Sequence, residues 1–520
     1  MNNADMYDVA IVGFGPTGAV AAGLLGGQSL RTLVCDRLTE VYDKPRAISL
    51  DHEIMRVFQQ LGVVAQVEPF TAPFTNSEFY GVDGQLIRCM STVAPPYPLG
   101  FNPSLVFSQP PVEKVLRAHV QSLPSVTVAL GQTLIQLTQL TQDAQHVTLQ
   151  LQAQDGTVTE AKARYVIACD GASSTVRGLM GMALQDLGFD QPWLVVDVLV
   201  NEQGLAKLPR VSVQYCEPER PCTYLICPGL HRRWEISINP GEDPQQLATP
   251  EGTWKLLSRW LTPEDATLWR QASYRFHALV AQDWRKGRVF LAGDAAHQQP
   301  PFLGQGMCQG VRDATNLSWK LGAVLRGEAG DTLLDSYGEE RQGHVTELTT
   351  RIKAVGQIVG ERDLEKARKR DAHLLEACGG VVKPQPRQNV QPALAHGLLA
   401  AQTHPARGTL FPQPWIQHAG ANVRMDEVVG RGWRLIVSPQ ADVALKAAAN
   451  AHSVKGMTLH TLGQGELIET EGVLWNWFTQ HACTAVIVRP DHYVYGVANS
   501  EAELTHQFTQ LRQTIEPLAA

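Results

Sequence analysis

Residues 7–12 read Tyr-Asp-Val-Ala-Ile-Val, and Gly13-Phe14-Gly15-Pro16-Thr17-Gly18 follow without a gap. The first six form a short apolar run rich in β-branched residues, the pattern of a buried strand. Ala19 to Leu25 suits a helix, and Thr32-Leu33-Val34-Cys35-Asp36 reads as a second buried strand. Together they make a β-turn-α-β unit of about 30 residues, the size of one nucleotide-binding half. Its glycines let the backbone turn tightly and approach a pyrophosphate, and the helix start offers amide donors and a positive dipole end. Asp36 lies 18 residues beyond the last glycine, where a carboxylate accepts hydrogen bonds from ribose hydroxyls. GxGxxG alone is a weak signal. With the strand, the helix and the acid around it, it points to dinucleotide binding, against a turn that merely packs helix on sheet.

The rest of the chain sets the frame. At about 150 residues per domain, a chain of this length holds two to four domains. Apolar residues make up 44% and charged residues 18%, which excludes a disordered or fibrous chain. The net charge of -7 argues against a nucleic-acid partner. Nine cysteines, an odd number without a CxxC pair, argue against a disulfide framework or a zinc site, and no metal is expected. A reducing, cytoplasmic setting fits. Val9 to Gln28 carries no charge, but Asp5 and Asp8 precede it and six glycines and one proline fall inside it. Neither a signal peptide nor a membrane anchor is expected.

Ser49 stands where an N-cap is expected. Leu50, Ile54, Val57, Phe58 and Leu61 follow at helical spacing, and Gly62 stops the helix. Val147, Leu149 and Leu151 alternate with polar residues, Asp155-Gly156 turns, and Tyr165 to Cys169 forms a strand, so a β-meander returns to the first sheet. Residues 190–280 mix alternating runs, such as Trp193 to Val200 and Trp234 to Ile238, with Pro and Gly, which predicts a separate antiparallel sheet. Gly287 to Ala292 reads as a strand and Met307 to Leu325 as a long helix. Proline and glycine dominate 378–415, a second boundary. Strands at Trp433 to Val437 and Ala485 to Val488 and a helix near 500–515 then make a further α/β domain.

Two more motifs sit at strand ends. Cys169-Asp170-Gly171-Ala172-Ser173-Ser174-Thr175-Val176-Arg177 suits a turn that Ser174 and Arg177 orient; alone, it reads as a capped turn with a surface ion pair. Gly293-Asp294-Ala295-Ala296-His297 follows a strand and runs on through Pro300, Pro301, Gly304-Gln305-Gly306-Met307 and Asp313. Asp294 can accept from a polyol hydroxyl, Pro301 fixes the loop, and Gly304 and Gly306 open the long helix toward an electron-rich ring.

In this order and spacing the three motifs resemble the class A flavoprotein aromatic hydroxylases, the family of p-hydroxybenzoate hydroxylase and phenol hydroxylase, over most of 7–350. The resemblance implies an α/β fold: a discontinuous Rossmann-like FAD-binding domain (1–75, 105–185, 283–375) and an inserted antiparallel-sheet substrate domain (76–104, 186–282). A linker (376–410) leads to a thioredoxin-like domain without CxxC (411–520), with a structural or homodimer-supporting role. It assigns FAD contacts to Gly13, Gly15, Gly18, Asp36, Arg37, Arg46, Gln109, Asp170, Gly293, Asp294, Gly304, Gly306 and Met307, and places Pro301 on the flavin-side loop. Without the family, Arg46 reads as a surface charge and Gln109 as a helix-start polar group. Asp36 stands where many members carry Glu, and Cys308 where several carry Asn. Gln305-Gly306-Met307-Cys308 resembles the 3-(3-hydroxyphenyl)propionate hydroxylase branch.

The implied reaction uses FAD, NADH or NADPH, and O2, and hydroxylates a small phenolic acid through a flavin C4a-hydroperoxide. A polyketide or antibiotic hydroxylase of the same build, or a flavoprotein without catalysis, are the alternatives. The phenol-activating base is not legible. His52 is the candidate because an imidazole titrates near the working pH, although Asp51 and Glu53 beside it read as ordinary first-turn acids. Tyr215, Tyr224, Trp234 and His277 are candidate pocket lining, and Arg232 or Arg233 a candidate partner for an acid tail.

Overall fold

A computed structural model describes residues 6–139, 145–451, 454, 456–463, 465 and 467–515. Asp5 and the parts of the expected domains at 1–5, 140–144 and 516–520 lie outside them. Strand Met6–Val12 runs parallel to Thr32–Asp36 on one side and to Val158–Ala168 on the other. Val126–Leu130 and Val289–Leu291 extend this sheet in parallel at its two sides. Helix Pro16–Gly26 is apolar around its whole circumference and is buried from Gly18 onward. It lies against the helices Gln109–Gln121 and Gly306–Leu325. The meander is present as Val147–Ala153 antiparallel to Val158–Ala168.

Ser49 does not cap a helix. It belongs to the strand Ser49–Asp51, which pairs with Ser104–Phe107. Asp51 caps helix His52–Leu61, accepting from the amides of Glu53 (3.1 Å) and Ile54 (3.2 Å). Gly62 ends that helix in the left-handed region, φ 73°.

The second sheet is built on two long antiparallel strands, Leu184–Val200 and Ala266–Ala281. His231–Ser237, Cys222–Ile226 and Ser212–Tyr215 continue it antiparallel. Ser77–Tyr80 and Leu86–Ser91 complete it from the earlier segment. The stretch expected to be a plain linker then adds an edge strand, Gln385–Pro386, beside Leu86–Ser91. Its apolar residues explain this: Leu394, Leu398, Ala400 and Ala406 are buried, so the segment packs between two bodies while its prolines keep it extended.

The last unit has a four-stranded sheet ordered Thr458–Thr461, Arg434–Val437, Ala485–Val488, Val494–Ala498, with helices Val443–Ala451, Val473–Gln480 and Glu501–Ile515. Its apolar core continues onto Leu333 and Trp319 of the first body. Two buried charge clusters cross the same boundary. In one, Asp426 receives Arg56 and Arg434. In the other, Glu340 receives Arg489 (2.6 Å) and Lys320 (2.8 Å), while Asp491 accepts from Arg489, Asn316 and Trp319. Among the described residues no helix is long and apolar enough to cross a membrane.

Candidate active site

The glycine-rich turn is held from both sides. Gly13 (φ 103°) donates its amide to Cys35 O at 2.8 Å, and the Phe14 amide donates to Asp36 Oδ2 at 2.6 Å. Asp36 thus fastens the turn to the second strand while its Oδ1 accepts from Leu38 N. A Cβ on Gly13 meets Cys169 O at 2.3 Å, so the first motif rests directly on the second. There, Asp170 accepts from Ser174 Oγ and Val176 N, and burial raises its carboxyl above the usual range. Arg177 reaches from this turn to Ala295 O (2.9 Å), tying the second motif to the third. In the third, Asp313 organises the loop: it accepts from Gly293 N (2.9 Å), His297 Nε2 (2.8 Å) and Arg341 Nε (2.8 Å).

The three motifs wall one side of a cavity of about 570 Å³. Gly15, Asp294, Pro301, Gly304, Gly306 and Met307 line that side. The second sheet lines the other with Val195, Gln214, Thr223, Leu225, Arg233 and Glu235. Gln109 and Arg46 stand at the junction: Gln109 Oε1 accepts from Arg46 N and Ala47 N (2.7 Å). Gly13, Gly18, Asp36, Arg37, Asp170 and Gly293 are not on the cavity wall; all but Arg37 brace it from behind, and Arg37 is exposed.

The arrangement fits the adenine-dinucleotide flavin that the motifs imply. Cβ atoms built on Gly15 and Gly306, both wall residues, meet nothing within 4 Å, so the backbone is bare where a cofactor approaches. Asp294 has no hydrogen-bond partner among the described residues; its side chain is exposed at the cavity wall, and the protein packed around that wall raises the carboxyl above its ordinary range. Its accessible face looks into the cavity, ready to accept from a polyol.

His52 is elsewhere. It lines a separate cavity of about 220 Å³ with Asp51, Arg312 and Tyr493, and not the large one. Burial pushes its imidazole down to about 4, although Asp51 opposes this, so it is neutral near pH 7. Its neighbours are more than first-turn acids: Asp51 and Glu53 both clamp Arg312 of the long helix, and Tyr493 donates to Glu53 at 2.9 Å. The Cys308 thiol, in the first turn of that helix, donates to Ser49 O.

Of the candidate lining residues, His277 borders the large cavity. Tyr224 and Trp234 pack in the substrate-sheet core, and Tyr215 packs on Trp260. Arg233 borders the cavity, but its charge is spent: it forks onto Asp197 (2.7 and 3.0 Å) and donates to the Pro45 and Arg46 carbonyls. Arg232 donates to carbonyls of its own hairpin. Three lining residues had no sequence reading. Glu235 is 4% exposed, and burial pushes its carboxyl up to about 7, Arg233 opposing. Gln214 lies two strands away on the same face, with Thr223 between them. Arg387, from the 378–415 stretch, lies over the Phe74 ring at 3.9 Å and donates to Leu303 O.

Comparison with known proteins identifies the family. The FAD binding domain family matches residues 6–352, and the HcaD C-terminal domain family matches 408–514. The chain is 36% identical to a probable NADH-specific resorcinol 4-hydroxylase of Rhodococcus jostii (strain RHA1), covering 98% of this chain and 96% of that one. It is 34% identical to a 3-(3-hydroxy-phenyl)propionate/3-hydroxycinnamic acid hydroxylase of Mycobacterium sp. (strain JLS), over 94% and 89%. The fold matches the flavin-dependent monooxygenase PieE in complex with FAD and substrate (TM-score 0.81, 22% identity, 98% and 99% covered). It also matches aklavinone-11 hydroxylase with FAD and aklavinone (TM-score 0.79, 24% identity, 97% and 99% covered). By family match and by relatives over nearly its whole length, the protein belongs to the class A flavoprotein aromatic hydroxylases, enzymes that work with FAD and NADH or NADPH.

Proposed function

We propose that this protein is an NADH-consuming monooxygenase that introduces a hydroxyl ortho to an existing one on a small, single-ring phenol, with resorcinol-like 1,3-dihydroxybenzenes as the substrate class. The observation that carries the reading is the bare Glu235 carboxyl on the cavity wall opposite the flavin motifs. A hydroxyl donor satisfies it, whereas a carboxylate tail there is repelled. The resorcinol hydroxylase relative supports the ring and the choice of NADH. A phenolic acid of the 3-hydroxyphenylpropionate kind is the second reading, favoured by Arg387, a cavity-lining arginine with no carboxylate partner among the described residues. We read the C-terminal unit as a thioredoxin-like appendage without redox work: its one cysteine, Cys483, is buried, which pushes its thiol up to about 12.

In this reading Gly15, Gly306 and Met307 border the cofactor, Asp294 holds its polyol, and the sheet presents the ring. Bound FAD supplies the oxygen-activating chemistry, taking its electrons from NADH. The apolar wall of Phe79, Met90, Val195 and Leu225 excludes water from the reacting carbon. Purified enzyme given NADH or NADPH and a panel of phenols tests this. The expected result is stoichiometric hydroxylated resorcinol with NADH. A preference for a polycyclic phenol, or equal turnover of a phenolic acid and its methyl ester together with neglect of resorcinol, counts against it. Asp294→Ala is expected to weaken FAD retention by about 1–3 kcal/mol, the cost of leaving polar groups unpaired. Dialysis against apoenzyme standards checks this, and unchanged retention removes Asp294 from the cofactor site.

A further inference from the structure

We infer that Glu235 is the base that takes the proton of the substrate's ring hydroxyl, at the end of a polar row running across three strands of the second sheet; this rests on the small-phenol reading above. The row follows from strand register. Gln214 faces Thr223 directly across one strand pair, and Thr223 faces Glu235 across the next. Directly opposed residues project to the same side of a sheet, and all three line the large cavity. Thr223 Oγ1 donates to Gln214 Oε1 at 2.6 Å, which fixes the amide with its Nε2 left over as a donor. Among the described residues no donor reaches the Glu235 carboxyl, and no acceptor takes Gln214 Nε2. A buried acid and a buried amide donor, both unengaged and bordering one cavity, match a hydroxyl that donates to the first while an oxygen of the same ring accepts from the second.

Other charged groups do not displace Glu235 from this role. Arg233, two residues earlier on its strand, is committed to Asp197 on the neighbouring strand, and His231 also shares Asp197. Arg270 donates to Pro45 O, and His277 stands near Asp190. The thiols of Cys222 and Cys227 are raised by burial and stay protonated. Arg387 and Arg46 are cations and cannot accept a proton.

The step balances simply. The Glu235 carboxylate takes the hydroxyl proton, leaving a phenolate whose ring carbon is electron-rich. One oxygen atom of O2 joins that carbon and the other leaves as water. Two electrons come from NADH and two from the substrate's C–H bond. The resulting non-aromatic ketone loses its ring C–H proton to solvent, while its carbonyl oxygen takes a proton back from the Glu235 carboxylic acid, restoring the carboxylate. Raised toward neutrality by its burial, Glu235 has the pKa of an efficient base near pH 7.

The test compares wild-type holoenzyme with Glu235→Gln and Glu235→Asp. Resorcinol hydroxylation is followed by product, FAD content by absorbance and kcat across pH 5–9. Glu235→Gln is expected to lower kcat by about 100-fold or more, the range for loss of a general base, with FAD content unchanged. The acid limb of the wild-type profile should vanish in Glu235→Gln and return in Glu235→Asp. Unchanged kcat and an unchanged acid limb overturn the inference and leave the small-phenol reading standing. Wild-type holoenzyme that hydroxylates no single-ring phenol overturns both. A wild-type measurement guards against a variant that misfolds: 1,3-dimethoxybenzene, which has no hydroxyl to donate, should bind about tenfold or more weaker than resorcinol, and equal binding also overturns the inference.

Discussion

Gly18→Ala is expected to give a colourless protein, with FAD affinity lower by about 100-fold or more, equivalent to about 2.8 kcal/mol. The cause is steric and lies in the backbone. A Cβ at Gly18 falls 2.0 Å from Gly13 O and 3.1 Å from Gly13 C, and a carbonyl cannot swing aside as a side chain can. Gly13 is itself pinned by Cys35 O, and the next amide by Asp36. The helix start must therefore back away from the sheet, taking with it the amides that the motif presents to a pyrophosphate. Gly15→Ala makes the contrast. Its Cβ meets no protein atom within 4 Å and stands on the cavity wall, at an ordinary φ of -72°. That variant should keep the apoprotein's unfolding temperature and lose FAD affinity only by crowding the cofactor. Equal melting and equal FAD content for Gly18→Ala and wild type, measured by calorimetry and flavin absorbance, sinks the steric account.

The contrast shows what can be read in a linear chain. The first strand, turn, helix and acid lie within 36 residues, and their chemistry is local: β-branched residues, glycines, then a carboxylate at a strand end. Asp294 and the glycines opening the long helix are legible for the same reason. Strand period also reaches into the second sheet. In His231–Ser237, Trp234 and Ile236 point to the core, so Arg233 and Glu235 share the other face. Parity alone therefore separates Arg233 from Arg232 and brings Glu235 forward. Register does not yield in the same way. That Gln214, Thr223 and Glu235 form one row depends on hairpin lengths and on a bulge-free pairing across two strand pairs. Arg387 was out of reach because its segment returns to pair with Met90 and Ser91, nearly three hundred residues earlier in the chain. His52 shows the opposite failure. Its helix start is local and visible, but the cavity it borders is decided by where Arg312, Tyr493 and the 378–415 stretch pack.

Glu340→Ala is expected to destabilise the protein by about 3–5 kcal/mol at pH 7, the range for breaking one side of a buried ion pair. Glu340, Arg489 and Lys320 are all fully buried, and the carboxylate joins the long helix Gly306–Leu325 and the helix Asp335–Gly360 to the C-terminal unit. Removing it leaves Arg489 with Asp491 as its remaining carboxylate, beside the Leu398 carbonyl, and Lys320 without its nearest anion. Lys320, already pushed down to about 8 by burial, then sheds its proton more readily, which offsets part of the loss. The pH dependence has a definite sign. Burial alone would raise the Glu340 carboxyl, but Arg489 and Lys320 hold it down to about 2, below its unfolded value of about 4.3. Its stabilisation is therefore complete above about pH 5 and lost as pH falls through about 4 toward 2. The gap in unfolding free energy between wild type and Glu340→Ala should narrow over that interval. Because Asn316 and Trp319, which hold Asp491, lie on the helix whose first turn lines the flavin cavity, the variant should also release FAD faster. Chemical unfolding at pH 7, pH 4 and pH 3, with flavin fluorescence followed in parallel, checks both parts. A loss under 1 kcal/mol with unchanged flavin release would mean that the apolar contacts around Trp319 and Trp433, rather than this charge cluster, hold the C-terminal unit in place.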